Sequence, residues 1–303
     1  MESLKINALQ DAARTSTLST RWRRLWRSVP LVLADAHLMH TGPAPRSDEM
    51  DSIGGLLLHA VDSMRDVAPM VSSALAAHPG PFRSVHIACT PMDAHQIQIA
   101  LWLQLLAAKG VQELIFVNST SKFDTDVRVP ATLFRCKSLT CLYIGFLRFP
   151  DTATLPRAAA FPHLRELGLC SLIMGERDLA YLFDRCTVLE NLEILASSGL
   201  VRLRVASNSL RCVEVCESVV EEITVDCAAR LERLMFWETF GIGGIVDDTG
   251  NLINMTTRVK IGHAPNLRFL GFLVSAMHEL KIGSTVIRVG AIFSTCSIPM
   301  REF

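Results

Sequence analysis

The chain has 303 residues, enough for one elongated repeat domain plus a small extra unit, or for two globular domains. Half of the residues are hydrophobic, and 30 Lys+Arg balance 30 Asp+Glu, so a large core is available while no global attraction to nucleic acid or to a membrane surface is expected. No apolar run reaches the ~18 residues of a spanning helix, and residues 1–7 lack the long apolar region of a signal peptide.

Nine cysteines are scattered without a C-x-x-C, and several fall in strand patterns where a thiol serves as a small apolar residue. This places the chain in a reducing compartment, cytoplasm or nucleus, with no disulfide framework and no zinc site.

In chain order, residues 1–10 carry no usable pattern. Asp11 suits a helix cap and Pro30 a stop. Between them Leu18, Trp22, Leu25 and Trp26 recur at helical spacing, with Arg21, Arg23, Arg24 and Arg27 around the rest. Three readings are open: a helix packed by its tryptophans with arginines in water, a basic patch for nucleic acid or nuclear import, or a docking unit whose large aromatics anchor a partner. Residues 41–55 are a linker by their Gly, Pro, Ser and Asp content. Residues 56–77 read as helical with a break at Pro69, ending at His78-Pro79-Gly80-Pro81 and capping the first repeat.

Residues 82–87 are then the first strand. Thr90-Pro91-Met92-Asp93 reads as a helix start with Thr90 as cap. The helix runs through Ile97, Leu101, Leu105 and Leu106 to Gly110, which can take the left-handed stop. From here one frame, L-x-x-L-x-L, governs the chain. It stands at Leu139/Leu142/Ile144, Leu164/Leu167/Leu169, Leu189/Leu192/Ile194, Leu200/Leu203/Val205, Leu210/Val213/Val215, Val220/Ile223/Val225, Leu231/Leu234/Phe236 and Leu267/Leu270/Phe272. Weaker copies occur at Phe82/Val85/Ile87, Val111/Leu114/Phe116 and Met277/Leu280/Ile282. Such self-similarity predicts an α/β solenoid with one short strand per repeat.

Frames beginning at 111, 139, 164 and 189 are spaced widely enough for a strand and a returning helix or arc. Frames beginning at 200, 210, 220 and 231 are only 10 or 11 apart, too close for a helical return at about 1.5 Å per residue. A thin, sheet-like section is expected there. Residues 238–256 interrupt the array with its only glycine-rich stretch, read as an insertion because neither a helix pattern nor a P-loop lysine follows.

Asp11-Ala12-Ala13-Arg14-Thr15, then Leu18-Ser19-x-Arg21-Trp22-Arg23-x-Leu25-Trp26, resembles the second half of a plant F-box. With the leucine-rich array behind it, the chain is similar over about residues 11–290 to the F-box/LRR proteins of grasses. The resemblance implies a leucine-rich-repeat solenoid that holds a protein substrate. It also implies a helical unit docking on the Skp-type adaptor of a cullin-RING (SCF-type) ubiquitin ligase. Adaptor contact or F-box packing would then fall on Ala12, Arg14, Leu18, Arg21, Trp22, Leu25 and Trp26. The family's first helix opens with Leu-Pro, whereas residues 1–10 offer only Leu4, Ile6 and Leu9, so the F-box is expected to be partial. The division is therefore 1–40 partial F-box helices, 41–55 linker, 56–290 repeats and 291–303 a divergent tail, where family members generally carry further strands and often an FBD-type ending.

None of the nine histidines forms a metal pair such as H-E-x-x-H, and no G-x-S-x-G or local cysteine-nucleophile signature occurs. Neither an enzyme nor a cofactor is expected. In x-L-x-L the intervening residues line the outer sheet face, with a protein-binding concavity centred near Glu193, Arg202, Arg204 and Glu222. The bland reading of that face is a solvated sheet with cross-strand pairs. No basic stripe with interleaved aromatics is present, so nucleic acid is disfavoured. Two alternatives remain: a repeat scaffold that has lost adaptor docking, or a small-molecule (hormone) sensor with a pocket beside Arg202 and Arg204.

Overall fold

The computed structural model describes residues 30–39, 66–119, 126–156, 158–197, 199–237, 257–271, 273, 278–283 and 285–288. The F-box-like segment 11–27, the linker 41–55, the insertion 238–256 and the tail 291–303 lie outside the described residues. The chain divides into two compact units, residues 1–165 and 166–303.

In the first unit β1 (Leu31–Ala34), β2 (Phe82–Ile87), β3 (Glu113–Val117) and β4 (Cys141–Gly145) lie side by side in that order, all parallel. Period-2 alternation sends Leu33, Val85, Ile87, Leu114, Phe116, Leu142 and Ile144 to one face, where all are buried. A short turn of helix, α1 (Ala36–Met39), follows β1. The returns to the sheet are helical: α2 (Ala68–Ala77), α3 (Gln96–Ala108) and a 3-10 segment, Ala131–Arg135. Ile99, Trp102, Leu103 and Leu106 of α3 are buried, and Trp102 Nε1 donates to Ser72 Oγ of α2 at 2.9 Å. Gly110 ends α3 with φ +70°, the left-handed stop its position requires.

Two expectations change here. The sheet begins at Leu31, inside the stretch assigned to F-box helices, because the aliphatic run after Pro30 pairs with β2. Pro69 sits in the first turn of α2, where a missing N–H costs nothing, and residues 56–65 ahead of it lie outside the described residues. Thr90 does not cap α3, which starts at Gln96. Its hydroxyl instead donates to Asp35 Oδ2 at 2.9 Å.

Asp35 closes the end of β1 against β2. It is fully buried, and its carboxylate also accepts from the backbone N–H of Ala88 (3.0 and 3.1 Å) and of Cys89 (2.9 Å). Burial pushes its carboxyl above the usual range, and the donors from Ala88, Cys89, Thr90 and Ala36 offset only part of that push.

The second unit starts the same way. A helix, α4 (Glu176–Arg185), returns between β5 (Glu166–Cys170) and β6 (Asn191–Leu195). Beyond β6 the described residues hold no further helix. β7 (Arg202–Ala206), β8 (Cys212–Cys216), β9 (Glu222–Cys227), β10 (Arg233–Trp237), β11 (Thr257–His263), β12 (Phe269–Gly271) and β13 (His278–Ile282) follow, and β14 (Thr285–Arg288) folds back on β13.

These strands do not pair in sequence order. One parallel sheet runs β5-β6-β8-β10-β12, and a second runs β7-β9-β11-β13, with β14 antiparallel at its end. Each short frame therefore crosses to the other sheet, and two frames complete one coil. Leu192 pairs with Val213 and Val213 with Leu234, while Leu203 pairs with Ile223, so partners within a sheet stand two frames apart. The thin section is a two-sheeted stretch of the leucine-rich solenoid. Its second sheet stands where the preceding repeat has a helix, and α4 packs beside β7, the first strand of that sheet. Leu192, Ile194, Val213, Val215 and Leu234 of one sheet and Leu203, Val205, Ile223 and Val225 of the other are all buried. The rings of Phe236 and His278 meet across the gap with centroids 5.0 Å apart.

Leu234 pairs with Leu270, and Ile223 with Val259, both steps longer than the two-frame step of the earlier coils. Both sheets thus regain register beyond residues 238–256, as an insertion within one coil requires.

One corner repeats. Ser171, Ala196 and Glu217, each following a strand of the first sheet, hold φ of +44° to +52°, unusual for residues with a Cβ. A backbone ladder fixes them: Ser171 N–H donates to Leu195 O at 2.8 Å and Ala196 N–H to Cys216 O at 3.0 Å.

Candidate functional site

The outward positions of the second unit form two separate chemical surfaces. On the β7-β9-β11-β13 sheet the register sets Arg202, Glu222, Arg258 and Glu279 in one row across the strands, and Arg204, Thr224, Lys260 and Lys281 in the next. Leu203, Ile223, Val259 and Leu280 lie between the rows and are buried, so the charged side chains face water by the period-2 rule. Lys260 Nζ meets Glu222 Oε2 at 2.5 Å, and Thr224 Oγ1 donates to Glu222 Oε1 at 3.1 Å. Lys260 above all holds the Glu222 carboxyl below its ordinary value; burial opposes it, and Thr224 and Arg258 add smaller lowering effects. Arg204 donates to Asp226, and Arg202 reaches Glu176 of α4 at 3.9 Å. These are solvent-facing pairs, each worth about 1 kcal/mol or less.

The β5-β6-β8-β10-β12 sheet differs. Its central outward row is Gly168, Glu193, Glu214, Met235 and Gly271. Glu193 and Glu214 stand directly opposite each other on neighbouring strands. Cys212 and Cys216 flank Glu214 and are buried, and burial pushes the Glu214 carboxyl upward. The thiols of Cys136, Cys170 and Cys186 are pushed by burial to about 12, so they remain protonated packing groups at neutral pH.

Of the residues picked from the sequence, Arg202, Arg204 and Glu222 come together on one sheet, while Glu193 lies on the other. A single concavity centred on all four therefore does not form, because successive short frames are not neighbours in a sheet. The signal was present in the spacing: frames at 189, 210 and 231 form one series and frames at 200 and 220 another. Arg258, Lys260 and Lys281 were missed for the same reason, since they follow the insertion but share the face of Arg202 and Arg204. The two arginines are 67% and 75% exposed, and Leu203 between them is buried in the apolar interior. The adaptor-contact residues Ala12, Arg14, Leu18, Arg21, Trp22, Leu25 and Trp26 lie outside the described residues.

Among the described residues no group of three or more His, Cys, Asp or Glu could hold a metal ion, and no helix is long and apolar enough to cross a membrane. What the geometry offers is recognition: rigid, strand-mounted side chains on a broad surface.

Comparison with known proteins agrees with that architecture. Residues 99–299 match the model of the LRR repeats of the FBD-associated F-box protein At5g56370. The chain is 26% identical over 194 residues to the F-box/FBD/LRR-repeat protein At1g13570 of Arabidopsis thaliana, covering 64% of this chain and 41% of the relative. It is 28% identical over 252 residues to F-box/LRR-repeat protein 13 of the same plant, covering 80% of this chain and 51% of the relative. The chain thus spans about half the length of the curated relatives it matches. Because the family model covers more than half of the chain, and spans the strands from β3 to β14, the chain belongs to the LRR-repeat family of FBD-associated F-box proteins.

Proposed function

We propose that the protein is a substrate-recognition subunit of a cullin-RING (SCF-type) ubiquitin ligase. The F-box-like helix docks on a Skp-type adaptor, and the repeat array holds a protein substrate. The observation that carries this reading is the joining of Leu18-x-x-Arg21-Trp22-Arg23-x-Leu25-Trp26 to an array of the F-box/LRR family. The role is geometric. Large aromatics spaced for one helix face suit the anchoring of a partner, and a parallel-stranded array offers a rigid, exposed polar surface to a second protein. The chain itself carries no step of ubiquitin transfer; it sets the distance between substrate and transferring enzyme. The substrate-facing residues in this reading are Arg202, Arg204 and Glu222, with Glu193 on the separate face. Exposed arginines on either side of the buried Leu203 favour a protein surface over a hormone pocket.

The test is a binding titration of the purified chain against a plant Skp-type adaptor, beside a Trp22→Ala/Trp26→Ala double variant. Saturable binding that the double variant loses supports the proposal. A folded chain that shows no binding overturns it and leaves the repeat scaffold as the reading.

A further inference from the structure

The outward face of the β7-β9-β11-β13 sheet carries more positive than negative charge, and the excess is concentrated. Its described outward cations are Arg202, Arg204, Arg258, Lys260 and Lys281, against Glu222, Asp226 and Glu279. Arg202, Arg204 and Lys260 have ion-pair partners. Arg258 and Lys281 make no ion pair among the described residues, Arg258 acting on Glu222 only through space. Both are exposed.

Lys260 and Lys281 are also directly opposite each other on neighbouring parallel strands, about 4.8 Å apart by ordinary strand spacing. Like charges in that position destabilise a sheet. Glu222, on β9, relieves Lys260 from its other side and forms no ion pair with Lys281 among the described residues. The face therefore holds a small cationic focus at Lys260–Lys281 that an added anion would stabilise, with Arg258 beside it in the row between Glu222 and Glu279.

We propose that this face is the recognition surface of the array and that its partner is a protein segment rich in aspartate and glutamate. The proposal rests on the reading of the array as the substrate-binding part, and it names the chemistry of what is bound. Separate carboxylates match separate cations. A continuous phosphate backbone would meet Glu222 and Glu279, which alternate with the cations along the same row. The other sheet, with Glu193 opposite Glu214, has the wrong sign for such a partner.

The experiment titrates the full chain at low ionic strength with a fluorescein-labelled peptide of alternating Glu and Ser, about a dozen positions long. A matched Lys/Ser peptide and a single-stranded DNA of similar charge serve as comparators. Two variants accompany it: Arg258→Glu/Lys281→Glu, and Glu193→Lys on the other sheet. Circular dichroism and thermal melting confirm that each is folded, and Arg258→Gln/Lys281→Gln replaces the reversal if it is not. The acidic peptide should bind, weaken with added salt, lose at least tenfold in affinity with the charge-reversed pair, and be unaffected by Glu193→Lys. Absence of binding, equal binding to the reversed variant, or tighter binding of the DNA would overturn the proposal. Loss of adaptor binding alone would sink the ligase reading and leave this one standing. Loss of peptide binding alone would do the reverse.

Discussion

The first unit backs its strands with helices, and most of the second backs them with strands. The cause is the number of residues between frames. A step of 25 or more accommodates α3 or α4; a step of 10 or 11 leaves room only for a turn and a strand. The consequence for function is larger than for stability. A helix-backed repeat has one sheet face to offer, whereas a strand-backed coil has two, and here they differ in charge. Spacing between leucines thus decides how many surfaces the chain presents.

The largest effect that sharpens this comparison comes from the two interiors. Leu114→Ala in the helix-backed unit and Leu203→Ala in the strand-backed one each remove a buried side chain. Each should cost about 3 kcal/mol if both interiors are equally close-packed. Urea unfolding followed by circular dichroism measures both; a negligible loss for Leu203→Ala would show that the two-sheet interior is loosely filled.

Asp35→Ala comes next, and it acts on the first unit. It orphans the N–H groups of Ala88 and Cys89 and the Thr90 hydroxyl, for a loss of about 3 kcal/mol. Asp35→Asn keeps one acceptor oxygen and should lose less. The sign of its pH effect is set by its raised pKa: the folded state holds the proton more tightly. The contribution of Asp35 to stability is therefore greatest below the ordinary value of 3.8 and declines as pH rises through the higher folded value. Comparing the pH dependence of unfolding of the wild type with that of Asp35→Asn isolates this contribution; one that instead grows with pH would contradict the assigned direction.

A smaller loss belongs to the point where helix backing gives way to strand backing. A Cβ on Gly199 would lie 2.6 Å from the carbonyl oxygen of Met174. Gly199→Ala must displace that backbone and should cost about 2 kcal/mol, the order of a typical overpacking penalty. A melting temperature equal to wild type would show that the close approach is not required.

The smallest effect is electrostatic. Glu222→Gln removes the partner of Lys260 on an exposed face and should cost about 0.5 kcal/mol, screened by salt. The depressed pKa of Glu222 gives the opposite pH course to Asp35. Its contribution is present above the ordinary value of 4.5 and is lost as pH falls through the lower folded value. A difference from wild type that persists in high salt would mean that Glu222 acts by packing instead.

Much of this was legible in the sequence. Leucine spacing marked the strands between Phe82 and Ile282 apart from β11 (Thr257–His263), which carries no leucine frame, because burial of alternate side chains leaves a period of two that few other structures share. The helix stop at Gly110 was legible for a similar reason. What local patterns could not reveal was pairing. Leu203 followed by Val213 reads the same whether the second strand lies beside the first or across the interior. Only the two-frame register, Leu192 to Val213 and Leu203 to Ile223, separates the cases. Hence Arg202, Arg204 and Glu222 share one sheet with Arg258, Lys260 and Lys281, which local spacing did not join to them, while Glu193 lies on the other sheet. Asp35 was invisible because its partners, Ala88, Cys89 and Thr90, are remote from it in sequence. Thr90 does not cap because α3 starts only at Gln96, too far along the chain for the Thr90 oxygen to accept from a first-turn N–H.

The claim that the short coils present two distinct faces can be tested with paired histidines. Arg204→His/Thr224→His places two imidazoles on neighbouring strands of one sheet, where they can share a nickel ion. Arg204→His/Glu214→His places them on strands that are consecutive in the chain but belong to different sheets. Thermal melts with and without nickel, beside the wild type as control for its cysteines, should show a nickel-dependent rise for the first pair alone. A rise confined to the second pair would mean that the strands follow sequence order in one sheet, and the two-faced account would be wrong.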